Sequence, residues 1–270
     1  MRKPAIFYWG QIFRELSEHR FLLIQLVRIN FLEEFKKSRI GVVKSALAPV
    51  LGVIVWLLFT KTGLFNPGDT SIPYAAYVIL SMGIFTAFVN FAYHVADVLQ
   101  YHRNIITETQ ISFAVLYAQK MIHALLHYSI PLISTVFILL AFGIPLKLAG
   151  FLLPLVLVPT MLLGAVVGCL LSIFQIVNVD LFTTGKRAVQ AVVFVTPVIY
   201  SADVKNELLQ VILSWNPLTY LVGAARDLLT EGGYLHWEGF WWSTGVVLIA
   251  FALIFPMVVK HSNKIIEKIY

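Results

Sequence analysis

The chain has 270 residues, of which 59% are hydrophobic and 13% are charged, and its mean hydropathy is +0.83. About a quarter of the residues of a soluble domain are charged, so this composition excludes a soluble domain and indicates a polytopic membrane protein. The net charge is +6, and nine of the 20 Lys and Arg residues lie within residues 1–44. A single cysteine, Cys169, excludes an internal disulfide.

Residues 1–44 are basic and amphipathic and differ from a signal peptide, because no small-x-small cleavage pattern follows the run Phe21–Leu32. Helical spacing places four apolar residues on one face, namely Ile24, Val27, Phe31 and Phe35. We therefore predict a cytoplasmic interface helix that lies at the membrane surface or binds a partner.

Apolar runs predict the membrane spans, since about 20 apolar residues cross a bilayer core of about 30 Å. Five such runs are Val42–Thr60, Ile72–Ala96, Met121–Gly143, Gly150–Phe174 and Phe240–Val259. A broken unit between the last two supplies a sixth span. The predicted fold is all-α, with six transmembrane helices in a transmembrane domain of residues 45–270.

The broken unit consists of two apolar pieces, Val189–Ala202 and Pro217–Leu229, each too short to cross the bilayer alone. Thr196-Pro197 interrupts the first piece, because proline lacks a backbone donor and strains a helix. Asn216 caps the second piece and Pro217 occupies its first position. We predict a fifth span that breaks, then re-entrant helices, over residues 196–231. Irregular backbone at membrane depth needs cover from protein or a water-filled cavity, so this region is expected to line a passage.

Six spans place both termini on one side of the membrane. Sixteen of the 20 Lys and Arg residues then lie on that side, which the positive-inside rule assigns to the cytoplasm. The loop from 203 to 239 would face outward.

The predicted topology leaves two further cytoplasmic pieces, Leu99–Ser112 and Gln175–Arg187. The first either docks a short helix on a soluble partner or simply connects two spans, and its mixed polar composition favours docking.

Chemical motifs are scarce. The chain has no G-x-x-x-x-G-K-[ST] phosphate loop and no H-E-x-x-H or G-x-S-x-G motif, so we predict that it is not an enzyme. His123 and His127 share a helical face and could share a metal, but no third ligand is evident and helix packing is the alternative. The predicted spans nearly lack carboxylates, which argues against an ion-coupled transporter.

Aromatic residues make up 14% of the chain and form a stripe on the second span. Its members recur at helical spacing, namely Tyr74, Tyr77, Phe85, Phe88 and Phe91. Such rings either offer stacking faces to sugars passing through a conduit or pack against neighbouring helices.

Three elements carry a resemblance to a known family. Phe35–Gly41 resembles the basic element that precedes the first span in ABC-2 type permeases. Thr196-Pro197-Val198-Ile199-Tyr200 and Asn216-Pro217-Leu218-Thr219-Tyr220, followed by Arg226, resemble the fifth-span and re-entrant-helix motifs of polysaccharide exporters in that family. Those exporters carry O-antigen, capsular polysaccharide or teichoic acid.

The resemblance implies a half-transporter of the bacterial inner membrane that forms a homodimer and pairs with two copies of a P-loop ATPase. ATP and Mg²⁺ would bind the partner subunit, with no cofactor, metal or nucleic acid on this chain. The substrate would be a lipid-linked glycan, O-antigen first among the candidates, as in lipopolysaccharide biosynthesis. An ABC-2 permease for a drug or lipid, or less readily a secondary transporter, is the alternative.

The resemblance also assigns residues to roles. The predicted conduit residues are Trp56, Phe59, Tyr74, Tyr77, Phe85, Phe88, Phe91 and Phe194. The predicted gate residues are Pro197, Tyr200, Asn216, Pro217, Tyr220 and Arg226. The residues predicted to contact the ATPase, near the coupling loop 99–112, are Lys36, Lys37, Ser38, Arg39, Tyr101, Arg103 and Glu108.

Overall fold

The computed structural model describes residues 5–37, 47, 53–101, 111–203 and 206–269. The longer helices are labelled here α1 to α9 in chain order: α1 Ala5–Glu18, α2 Arg20–Lys37, α3 Tyr74–Ala96, α4 Phe113–Ala141, α5 Leu153–Val177, α6 Val179–Ala191, α7 Glu207–Trp215, α8 Pro217–Thr230 and α9 Trp237–Ile269. Residues 53–61 and Val98–Tyr101 are also helical, and 3₁₀ helices at Leu148–Leu152 and Val192–Val195 precede α5 and follow α6.

Four helical segments are long and apolar enough to cross a membrane: Tyr74–Ala96, Phe113–Ala141, Leu148–Gln175 and Trp237–Ser262. The pair α7 and α8 adds a fifth if it is counted as one broken span, with an 80° bend between the two helices. The described residues therefore hold four or five candidate spans, and the predicted count of six is not confirmed. Most of the predicted first span, Val42–Thr60, lies outside the described residues.

The helix that leads into the predicted fifth span, α6, begins earlier than the apolar piece Val189–Ala202. Asn178 caps α6 by accepting hydrogen bonds from the backbone N–H groups of Asp180 and Leu181, so a new helix starts one residue after α5 ends. The stretch Gln175–Arg187, predicted as a cytoplasmic loop, is therefore almost wholly helical. The predicted break is confirmed, because the 3₁₀ helix Val192–Val195 ends at an extended Thr196.

The predicted third span also begins earlier. Ser112 accepts a hydrogen bond from the backbone N–H of Ala114 and starts α4 at Phe113, eight residues before the apolar run. Because the apolar run begins at Met121, the sequence predicted Lys120 to lie in the preceding loop. The structure places Lys120 inside this helix, and it is only 4% exposed. A lone lysine interrupts an apolar count without interrupting the helix.

The N-terminal segment folds as two helices that pack on the apolar helices. On α1, the indole N–H of Trp9 donates to the carbonyl of Ala252 on α9 at 3.0 Å, and Tyr8 contacts Lys260. The α2 residues Val27 and Phe31 line an apolar groove against Ile122 of α4. Helices are thus present in the N-terminal segment, while an amphipathic interface helix at a membrane surface stays a prediction.

Helices α3 and α5 form the centre of the bundle, where glycines allow their backbones to approach closely. An added Cβ at Gly164 would lie 2.3 Å from the carbonyl oxygen of Phe88, and one at Gly168 would lie 2.6 Å from that of Ala92. Small residues spaced four apart are typical of tight helix pairs in membranes. This contact fixes the position of α3, which begins beside the bent pair α7–α8.

The other end of α3 is held by α6. Lys186 of α6 forms a salt bridge with Asp97, with distances of 2.8 and 2.9 Å to the two carboxylate oxygens. Tyr93 donates from its hydroxyl to the backbone carbonyl of Lys186 at 2.7 Å. This end of the bundle leads into the predicted coupling loop 99–112.

Several predicted residues cannot be placed. Ser38, Arg39, Arg103 and Glu108 lie outside the described residues, as do the side chains of Lys36, Lys37 and Tyr101. The predicted contact with an ATPase therefore stays a prediction.

Candidate functional site

The bend between α7 and α8 is built around Asn216. Its side-chain oxygen accepts a hydrogen bond from the N–H of Leu218 and caps α8, while Pro217 occupies the first helical position. Its side-chain amide donates to the carbonyl of Val195 at 2.7 Å and to Oγ1 of Thr196 at 3.0 Å. One residue therefore joins the bent pair to the break that follows α6.

Two tyrosines at the start of α3 hold the segment after the break. The hydroxyl of Tyr74 donates to the carbonyl of Ile199 at 2.9 Å. The hydroxyl of Tyr77 shares its proton between the carbonyls of Tyr200, at 2.9 Å, and Pro197, at 3.1 Å. Backbone groups that lack helical partners are thus satisfied by side chains, as buried backbone requires. The Thr-Pro break has a fixed conformation.

Arg226 of α8 is buried, with 8% of its surface exposed. Its Nε donates to the carboxylate of Asp227 at 2.7 Å, and its guanidinium lies 4.3 Å from the ring centroid of Tyr77. Nη1 lies 3.5 Å from the hydroxyl of Ser81 on α3. A buried guanidinium needs this set of partners, because an unpaired buried charge is strongly unfavourable. Arg226 was predicted as a gate residue of the re-entrant piece Pro217–Leu229, and the structure places it inside α8.

These elements enclose a polar cleft of about 500 Å³. The cleft is lined by residues from the loop before α3, α3 itself, the 197–203 segment, α7, α8 and the loop before α9, including Tyr77, Pro197, Tyr220, Arg226 and Tyr234. The hydroxyl of Tyr220 donates to the carbonyl of Ser214 at 3.1 Å. Burial raises the pKa of Tyr234 above its ordinary value, and nearby Asp227 adds to this, so its hydroxyl remains a donor at neutral pH.

Residues 22–230, more than half of the chain, match the family model of the ABC-2 type transporter. The chain belongs to the ABC-2 type transporter family. A search of curated proteins finds no match to it. Members of this family are membrane subunits that partner with ATPase subunits and are generally not catalytic themselves.

The predicted gate residues of this ABC-2 permease lie together. Pro197, Tyr200, Asn216, Pro217, Tyr220 and Arg226 all belong to the hydrogen-bonded unit or to the cleft beside it. Tyr200 accepts from Tyr77 through its backbone, and its own hydroxyl donates to the carbonyl of Phe194 at 3.1 Å. Their role as a gate is not tested by this proximity.

The predicted conduit residues divide into two groups. Four of them are buried inside the chain at 2–4% exposure, namely Tyr77, Phe85, Phe88 and Phe91. Phe59 and Phe194 are exposed at 41% and 58%, and Trp56 lies between them with ring centroids 6.1 and 6.3 Å away. Tyr74 is half-buried. The regular spacing on α3 thus produced a packed core face together with one accessible ring.

The permease also brings His94 of α3 against the histidine pair of α4. Its ring centroid lies 5.3 Å from that of His123 and 5.4 Å from that of His127. The described residues nevertheless include no group of three His, Cys, Asp or Glu side chains placed to hold a metal ion. The sequence did not indicate His94, because it lies about 30 positions away on another helix.

Sequence reasoning missed the acidic partner of the site. Asp227 follows Arg226 directly, and that adjacency is the signal that could have indicated an ion pair. Thr219 belongs to the Asn216–Tyr220 motif but was given no role, and Ser81 lies within the aromatic stripe of the second span, also without a role. Tyr234 was not indicated at all, although Gly223 lets its hydroxyl approach α8 so closely that an added Cβ would lie 3.0 Å from it.

The hydrogen bonds of Asn216 lead to a prediction for the Asn216→Asp variant. Aspartate still caps α8 but cannot donate hydrogen bonds to Val195 and Thr196. The free energy needed to open the 195–200 segment is therefore expected to fall by about 1–2 kcal/mol. The measurement is the rate of thiol labelling of a Val198→Cys reporter, since Val198 is fully buried and Cys169, the single native cysteine, is buried too.

Asn206→Asp is the matched control for this prediction. The side chain of Asn206 makes a capping bond through its oxygen to the N–H of Leu209, which aspartate preserves. We expect roughly tenfold faster labelling in the Asn216→Asp variant and little change in the Asn206→Asp variant. Equal labelling rates in both would show that Asn216 does not hold the break.

Proposed function

We propose that this protein is the membrane half-transporter of an ATP-driven exporter that moves a lipid-linked polysaccharide, with O-antigen first among the candidates, out of the bacterial cytoplasm across the inner membrane. Two copies assemble with two copies of a separate ATPase subunit. The ABC-2 family supports the ATPase partnership.

The observation that carries this proposal is the aromatic face of Trp56, Phe59 and Phe194, in which Trp56 is half-buried and the two phenylalanines are exposed. Phe194 directly precedes the Thr-Pro break, and Trp56 also contacts Phe65, with ring centroids 5.8 Å apart. Rings that are left accessible offer flat faces to sugars, while the cleft, whose lining includes Pro197, offers hydroxyl and carboxylate groups. A drug or lipid would use the apolar face but would have less use for the cleft.

The same face supports a homodimer. Val55, Leu58 and Val195, which lie next to the three rings in the sequence, are 50%, 55% and 37% exposed. An exposed apolar patch of this kind on a membrane protein faces either lipid or another subunit. In the proposal a second copy faces it across a conduit, which Trp56, Phe59, Tyr74 and Phe194 line. Tyr77, Phe85, Phe88 and Phe91 support that lining from inside the chain.

The proposed gate opens without any change in covalent bonds. Asn216 and Tyr77 hold the 195–200 segment through side-chain hydrogen bonds, which can break and re-form more easily than a continuous helix. The ATPase contacts would lie at the other end of α3, at the coupling loop and the end of α2. The Asp97–Lys186 salt bridge joins that end to α6 and hence to the break.

The test is ATPase stimulation in the reconstituted complex of the permease with its ATPase subunits. Lipid-linked glycan extracted from the host is expected to raise ATP hydrolysis. Phe194→Ala is expected to raise the half-maximal glycan concentration by about two- to tenfold, the equivalent of one lost aromatic contact. Phe151→Ala is the matched control, since Phe151 is even more exposed and lies on the 3₁₀ helix before α5.

Two results would contradict the proposal. Stimulation by phospholipid or by hydrophobic drugs, with none by the glycan, would favour the alternative ABC-2 function. Equal effects of Phe194→Ala and Phe151→Ala would remove the aromatic face from the substrate path.

A further inference from the structure

The polar cleft beside α8 has the dimensions of a ligand site. Its volume of about 500 Å³ falls within the range of ordinary small-molecule pockets, roughly 300–1,000 Å³. Six segments of the fold converge on it, so its shape depends on how these segments pack together. What it would bind follows from its charges, its rings and its polar side chains.

The charge of the cleft is negative. Among the described residues that line it, the acidic ones are Asp69, Asp203, Asp227 and Glu231, and the basic ones are Arg226 and His236. Arg226 is already bound to Asp227. The other three carboxylates are exposed, and no salt bridge joins them to a described residue. A phosphate or carboxylate ligand would be repelled, because like charges in a partly enclosed site disfavour binding.

One buried polar group in the lining has no partner. Oγ1 of Thr219 on α8 makes no hydrogen bond with a described residue, although the side chain is only 9% exposed and lines the cleft. Buried polar atoms are nearly always hydrogen-bonded, so this hydroxyl has the capacity for one further partner at the wall of the cleft. A hydroxyl group is a suitable partner, since it can both donate and accept.

Aromatic faces complete the lining. Tyr220 and Tyr234 contribute phenol rings, and the hydroxyl of Tyr220 is already used by Ser214. A pyranose has an apolar C–H face that packs on such rings and hydroxyls that hydrogen-bond to carboxylates. Rings, carboxylates and a hydroxyl together fit an uncharged polyol better than an apolar or anionic ligand.

We infer that this cleft is a binding subsite for an uncharged, hydroxyl-rich sugar unit of the exported glycan, and that it rejects phosphate-bearing units. The inference rests on the proposed function and narrows it. It places a sugar contact at the bent pair α7–α8 and favours glycans built of neutral sugars over those with a phosphate backbone, such as teichoic acids.

The test is saturation-transfer NMR on the complete transporter, permease and ATPase subunits together, in lipid nanodiscs. The probes are maltopentaose and chitopentaose as neutral oligosaccharides and a glycerol-phosphate pentamer as the anionic one. We expect signal transfer to at least one neutral probe and at least tenfold weaker binding of the anionic probe. The double variant Asp203→Asn with Glu231→Gln is expected to weaken the neutral probe about tenfold.

Glu238→Gln is the matched control, since Glu238 is an exposed carboxylate just beyond the cleft lining. All three replaced carboxylates are exposed, so the variants are expected to fold, and their Tm values check this. The inference is overturned if neither neutral probe binds, if the anionic probe binds as well, or if the double variant binds like the Glu238→Gln control.

Failure of the inference and failure of the proposed function are distinguishable. Export of glycan by a transporter whose cleft binds no neutral probe would leave the function standing and remove the subsite. Binding of a neutral probe by a protein whose loss leaves surface glycans unchanged would leave a sugar-binding cleft and remove the exporter.

Discussion

Replacing Arg226 by alanine is expected to destabilise the folded protein by about 3 kcal/mol and to abolish transport. The variant leaves the carboxylate of Asp227 with its surface only 17% exposed and without the guanidinium that neutralises it. It also removes the cation above the ring of Tyr77 and the contact with Ser81. Arg226→Lys should be only a partial rescue, because lysine lacks the planar fork that reaches several partners at once.

The measurement is Tm of the purified protein, with Arg187→Ala as the matched control. Arg187 is exposed on α6, so its loss should change the free energy of unfolding by less than about 0.5 kcal/mol. The pair variant Arg226→Met with Asp227→Leu should recover stability without recovering transport, since it removes both charges together. A stable Arg226→Ala variant would show that the ion pair does not hold α8 in place.

Gly164→Ala is expected to lower stability by about 2 kcal/mol, which corresponds to a Tm about 4–8 °C lower for a protein of this size. Alanine normally stabilises a helix relative to glycine by about 1 kcal/mol. At Gly164 that gain is outweighed, because the new Cβ would lie 2.3 Å from the carbonyl of Phe88 and 2.8 Å from the Cβ of Phe91. Helices α3 and α5 would have to separate.

Gly245→Ala provides the matched control. Gly245 lies inside α9 and has no atom within 4 Å of an added Cβ, so the ordinary helix preference should appear there as unchanged or slightly higher stability. A Gly164→Ala variant that melts at or above the temperature of the Gly245→Ala variant would contradict the close α3–α5 contact.

Local signals allowed much of the fold to be predicted from sequence. The apolar runs placed α3, α5 and α9 to within about ten residues at every end, because burial in lipid demands such runs. The predictions of a break at Thr196 and of a helix cap at Asn216 are also confirmed. Proline and capping residues act on the backbone beside them, so their effect does not depend on distant parts of the chain.

Polar residues inside the bundle account for most of the differences. Lys120 interrupts the apolar run of α4, so that helix begins earlier than the run, and the Asn178 cap starts α6 before the apolar piece Val189–Ala202. The partners of Arg226 include Ser81, 145 positions away, which no local pattern indicates. Likewise, spacing showed that the rings of α3 share a face, but it could not show that Phe85, Phe88 and Phe91 are covered by the chain itself.

The measurement that tests polysaccharide export most directly is depletion of this protein in its native host, followed by side-specific labelling of lipid-linked glycans. Export predicts that polymer accumulates on the cytoplasmic leaflet and is lost from the cell surface. Unchanged surface glycans and unchanged lipid-linked pools would contradict it, and would leave an ABC-2 transporter with a different substrate.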